Sequence, residues 1–156
     1  MGTSLDEVME ILDMFKSNSK VFTDAKIPLS YCKYGVIQAS IILSKDFPMT
    51  STTVDNGFGV MQTVVTIDTP ITDKELYLAG LFAYRNYSVN NHDDVTGKAI
   101  NFKTISFAVS GLTERAKEMM RIVYWCEKEI ARTLTSLGVP MGIATEMVGA
   151  DYVSEL

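Results

Sequence analysis

The sequence predicts a mainly α protein, a small helical bundle with long helices and one or two projecting β-prone arms or hairpins. Three observations predict it. Apolar residues recur at spacings of three and four in four separate stretches. Two of those stretches open on a Ser/Thr-x-x-Glu signature, in which two side chains reciprocally satisfy backbone N–H groups at a helix start. Two other stretches, at about 49–69 and 91–110, are rich in Thr, Ser, Gly and β-branched residues and lack that periodicity. The domain reading is one helical domain over 1–138, with arms at those two places, and a C-terminal tail over 139–156.

The first helix is expected to cap on Ser4, with Glu7 three residues later, and to present Val8, Ile11, Leu12 and Phe15 on one face. The polar turn formers in KSNSK end it. Pro28 suits the start of the second helix, where a missing N–H costs nothing. Tyr31, Tyr34, Val36, Ile37, Ala39, Ile41 and Leu43 make that helix apolar nearly all round, so it is expected to be central. It ends by Phe47, because Pro48 disfavours helix just before it.

Residues 49–69 read as a loop or short hairpin arm followed by a strand. Asn56-Gly57 is a strong turn signal, and Val60, Gln62, Val64 and Thr66 alternate with Met61, Thr63, Val65 and Ile67. Thr72 and Glu75 then cap a third helix. Its Leu76, Ala79, Gly80, Ala83 and Tyr87, widened by Leu78, Leu81, Phe82 and Tyr84, require burial on most sides. The alternation in NFKTISFAV suggests an extended strand over 101–109, with Phe102, Thr104, Ser106 and Ala108 on one side and Lys103, Ile105, Phe107 and Val109 on the other. The fourth and longest helix carries Ala116, Met119, Met120, Val123, Cys126, Ile130, Ala131 and Leu134 inward. Glu114 with Lys117, Glu118 with Arg121 and Glu129 with Arg132 form i,i+3 pairs outward. Gly138 and Pro140 stop it.

The chemistry of sites is sparse. With 156 residues, the chain can bury a real core without staples. A net charge of −5 argues against gripping a phosphate backbone, which needs clustered Lys and Arg. The densest basic run, Lys98, Lys103, Arg115, Lys117 and Arg121, is largely interleaved with Glu and reads as a solvated face. Cys32 and Cys126 lie far apart with no CxxC and read as reduced core thiols. The only histidine, His92, adjoins Asp93 and Asp94, yet three consecutive residues do not make a metal corner, and a solvated loop is expected there. Glu114 with Glu118 and Glu127 with Glu129 are read as solvent-facing charge rather than acid/base machinery. DNGFG lacks the strand–turn–helix setting and the Lys of a phosphate loop. No enzyme, metal or cofactor is expected. No apolar run is long enough to span a bilayer, and MGTSLDEVMEIL has no basic n-region or cleavage site, so the expected compartment is the cytoplasm of the producing cell.

ITDKELYLAGLFAYRNYSV, a polar segment, and INFKTISFAVSGLTERAKEMMRIVYWCEKEIARTL together resemble a known pattern. It is that of the head–tail adaptor (connector, or head-completion) proteins of tailed bacteriophages. The matching pieces are 72–75, 103–107, 110–112 and 114–132, within about 70–135. The resemblance implies a structural virion protein at the phage neck, assembled in the host bacterial cytoplasm. Such subunits form a homo-oligomeric ring, commonly twelvefold, between the portal protein and a stopper or tail-completion protein, and the same is expected of this chain. DNA passes through the channel without sequence-specific binding, and no membrane is involved. The interface residues expected on this basis are Lys98, Phe102, Lys103, Ile105, Phe107 and Val109 in the arm, Val64 and Ile67 in the strand, and Tyr152 in the tail. Edge addition of a strand to a neighbouring chain would use the main-chain groups of 101–109. The alternatives are another neck or tail-completion protein, or, from a different class, a small helical regulatory or nucleic-acid-binding module.

Overall fold

The computed structural model of the chain describes residues 2–19, 21–101 and 106–139, with side chains described outside 93–113. The described chain is mainly α with one small antiparallel sheet. In order it runs β1 (Thr3–Ser4), α1 (Asp6–Ser17), α2 (Leu29–Leu43), β2 (Met49–Asp55), β3 (Met61–Ile67), α3 (Asp73–Asn101) and α4 (Ser106–Ser136). The strand order is β1-β3-β2.

α3 is the element on which α1, α2 and α4 all pack. Its first turn is fixed by the expected capping box. The Glu75 N–H donates to Thr72 Oγ1 at 3.3 Å, and the Thr72 N–H donates to Glu75 Oε1 at 2.9 Å. From Leu76 to Tyr84 only Tyr77 is more than slightly exposed, and Leu78, Ala79, Leu81 and Ala83 have no exposed surface. Burying each such leucine contributes about 2 kcal/mol. Small residues bring the helices close. A Cβ on Gly35 of α2 would collide with the Ala79 carbonyl oxygen, and one on Gly80 would meet Ile11 and Phe15 of α1. α4 runs antiparallel to α3. The Lys74 ammonium donates to Ser136 Oγ at 2.7 Å, and the Tyr77 hydroxyl donates to Glu129 Oε2 at 3.2 Å. Met119, Ile122, Val123, Cys126, Ile130 and Leu134 form the buried stripe of α4. The three i,i+3 ion pairs stand on its outer face at 3.4, 3.0 and 2.8 Å.

Several expectations need correction. Ser4 is not the cap residue. It lies in β1, paired with Thr66, and the cap position falls one residue later, on Leu5, with the Asp6 N–H donating to Ser4 Oγ at 3.2 Å. α2 is peripheral rather than central. Cys32, Val36, Ala39 and Ile42 are buried, but Tyr34, Ile37 and Ile41 form an exposed apolar stripe. An apolar composition all round was needed on only one side. The largest difference is at 91–110. The backbone is helical through Asn101 and again from Ser106, so Phe107 and Val109 belong to α4, and Ser110, Gly111 and Leu112 lie inside that helix rather than opening it. Over the described residues, 91–101 and 106–110, the expected arm and the two ends of the expected 101–109 strand are therefore helical, in α3 and α4. Residues 102–105 lie outside the described residues, as does the tail from 140 onward.

Candidate interaction surfaces

The region at 49–69 is a hairpin whose base is core and whose tip is exposed among the described residues. β2 and β3 pair antiparallel from Met49 opposite Ile67 to Asp55 opposite Met61. Val65 and Ile67 point inward and are buried, while β1 covers the base of the outer edge of β3 at Thr66 and Ile67. Residues 50–63 are exposed on both faces. At about 3.3 Å per residue, the rungs beyond Ser51 and the turn carry the tip roughly 15–20 Å from the sheet base.

The turn is built by side chains. Asp55 Oδ1 accepts the Gly57 and Gly59 N–H groups at 2.9 and 3.2 Å, and Asn56 Oδ1 accepts the Phe58 N–H at 2.9 Å. Gly57 and Gly59 have φ of 89° and 77°, a region costly for residues with a Cβ. Between them Phe58 is 88% exposed, flanked by exposed Val54, Val60 and Met61. Among the described residues β2 is an edge strand, with no Lys, no Pro and no charge before Asp55. Nothing on it blocks addition of another strand.

A second feature lies at the far end of α1. A cleft of about 400 Å³ opens between α1, α3 and α4. Phe15 is its hub, stacked on Tyr84 with centroids 5.4 Å apart and edge-on to Tyr77 and Trp125 at 5.7 and 5.3 Å. Trp125 remains 41% exposed on one wall, with Met14 on another. Glu118 and Arg121, paired at 3.0 Å, form the lip. Burial pushes the Tyr84 hydroxyl up to about 12, opposed by a hydrogen bond with Ser19. Burial and the Glu129 charge push Tyr77 up to about 12. Both stay neutral at ordinary pH, so the cleft interior is aromatic and uncharged.

Charge is buried elsewhere. Glu127 is almost fully buried and accepts from Arg85 Nε at 2.8 Å, so it is not the solvent-facing carboxylate expected. Its Oε2 finds no hydrogen-bond partner among the described residues, and burial holds the carboxyl above its ordinary range despite Arg85. Glu75 takes Lys45 Nζ at 2.8 Å. Burial raises it, but Lys45 and the Thr72 bonds outweigh this and hold it below the usual carboxylate range. Cys32 and Cys126 are free and buried. Desolvation lifts Cys32 to about 12 and raises Cys126 further, so neither thiol is poised to react.

The predicted site residues scatter. Val64 is half-buried on the hairpin, whereas Ile67 has no exposed surface and is a core residue, so it cannot meet a partner. Lys98 lies in α3, and Phe107 and Val109 in α4. Phe102, Lys103, Ile105 and Tyr152 lie outside the described residues. His92 sits on α3 rather than in a loop, beside an open cleft lined by Met120, Arg121 and Tyr124. Among the described residues, no three His, Cys, Asp or Glu side chains could hold a metal, and no helix is long and apolar enough to cross a membrane. Sequence reasoning missed the cleft because its walls come from three helices. Compared with models of known families, with curated proteins and with solved structures, the chain matches none.

Proposed function

We propose that this chain is a structural virion protein of a tailed phage, a bundle-like subunit of a ring that joins the portal vertex to the stopper or tail. The observation that carries the reading is the hairpin of β2 and β3. A free hairpin with both faces in water is marginal on its own. This one exposes Val54, Phe58, Val60 and Met61 and leaves an uncharged edge open. Such a feature is stabilised by a partner chain, through main-chain bonds along the edge and apolar burial at the tip. The resemblance of the third and fourth helices to portal-to-tail adaptors names the kind of assembly. Of the piece at 103–107, only 106–107 lie among the described residues, and there the backbone is helical. The net charge of −5 suits a channel through which DNA slides without being gripped.

The test is binding to phage capsids that carry portal but lack tails. The adaptor reading expects the purified chain to sediment with such capsids and to appear by electron microscopy at one vertex only. Absence of binding, or binding spread over the shell, contradicts it.

A further inference from the structure

We infer that the hairpin tip of one subunit seats Phe58 in the aromatic cleft of the next copy, making a head-to-tail contact between identical chains. The inference deepens the ring reading above and rests on it for the closed assembly, though the contact itself can be tested apart from any capsid.

Four observations lead there. Phe58 is the most exposed large apolar side chain described, at 88%, and is held out on a turn fixed by three hydrogen bonds. The cleft of about 400 Å³ is walled by Phe15, Tyr77, Tyr84 and Trp125, near the lower end of the roughly 300–1,000 Å³ typical of ligand sites. Aromatic pockets of this kind accept an aromatic anchor edge-on or offset, and such anchors dominate interface energetics. The charges also agree. Asp55 is the only charged residue between Met49 and Ile67, and it stands at the tip. At the cleft lip the cation is the outer partner, with Arg121 at 74% exposure against 24% for Glu118. A tip entering Phe58-first brings Asp55 toward Arg121.

Position decides which chain supplies the tip. Leu5, at the start of α1, donates its N–H to Val65 of the hairpin at 2.9 Å, whereas Phe15 near the other end of α1 lines the cleft. At 1.5 Å per residue these two ends are about 15 Å apart. The tip is exposed and absent from its own cleft, so the two surfaces are unlike patches at separate places on one molecule. Contacts between unlike patches are heterologous, and they propagate from copy to copy until rotation closes a ring.

The experiment is a site-directed disulfide. Val60→Cys places a thiol beside Phe58, and Met14→Cys places one at the cleft rim; both positions are more than half exposed. The buried native thiols, with Cys32 pushed up to about 12, give little background. Under mild oxidation, a chain carrying both changes should give a covalent ladder of dimers, trimers and higher species. Adding Phe58→Ala should slow the ladder at least about tenfold, as removal of a hot-spot anchor does. Monomer only, products that stop at dimer, or a ladder indifferent to Phe58→Ala would each overturn the inference. Capsid binding without a ladder would leave the adaptor reading standing and this contact refuted. A ladder without capsid binding would do the reverse.

Discussion

Arg85 and Glu127 bind α3 to α4 by a pair that neither helix reveals alone. Removing one partner of a buried pair leaves an uncompensated charge, at a cost of several kcal/mol. Arg85→Met should lose about 3 kcal/mol at neutral pH in denaturant unfolding. Glu127 is raised above its ordinary 4.5 in the folded chain, so the folded state binds protons that the unfolded state has released. Stability from this group therefore falls as pH rises from about 4.5, and the deficit of Arg85→Met should shrink on acidification toward that value. Glu75 has the opposite sign. Its carboxyl is lowered, so its stabilisation is present above 4.5 and is lost as pH falls through the folded value. Glu75→Gln should cost about 1–2 kcal/mol at neutral pH, kept modest because Lys45 is largely exposed, and the gap from the parent should close in acid. The sequence did hold a sign of the first pair. Val123, Glu127, Ile130 and Leu134 share one helical stripe, which places a carboxylate among core residues. Arg85 was beyond reach, since 42 positions separate the partners and only the packing of α3 on α4 joins them.

At the scale of elements, legibility follows how local the determining forces are. The Thr72–Glu75 box, the Asn56-Gly57 turn and the Gly138 stop are short-range devices, and each acts where its residues stand. At 91–101 and 106–110 helix stands where an extended arm is expected, for the converse reason. Thr, Ser and β-branched residues each lower helix propensity by less than about 0.7 kcal/mol. Helices already nucleated by a buried stretch, such as 75–84, propagate through such residues more easily than new ones start. The place of α2 is not legible in its composition, which reports how much of a surface is apolar, not which neighbour covers it; Tyr34, Ile37 and Ile41 face out. Close approach of α2 to α3 depends on Gly35. Gly35→Ala gains helix propensity but drives a methyl into the Ala79 carbonyl, and should destabilise by about 2 kcal/mol net, readable as a lower Tm. The hairpin behaves oppositely. Replacing residues 53–63 with Asn-Gly keeps Thr52 opposite Val64 in register and removes only exposed chain. Folding stability should change by less than about 1 kcal/mol, as expected for surface segments.

At the scale of the whole molecule, the charge and the exposed features belong to one account. A monomer that left Phe58, an open edge strand and an aromatic cleft in water would carry an aggregation hazard. A ring of copies would cover them, and its net negative charge would leave DNA free to pass. The most direct measurement is solution mass by light scattering with negative-stain imaging, comparing the parent chain with the 53–63 replacement at the same concentrations, alone and with portal-bearing capsids. The parent should form closed rings or occupy a single capsid vertex, and the shortened chain should stay a folded monomer that does neither. A parent chain that stays monomeric and ignores capsids, or a shortened chain that assembles as well as the parent, would contradict it.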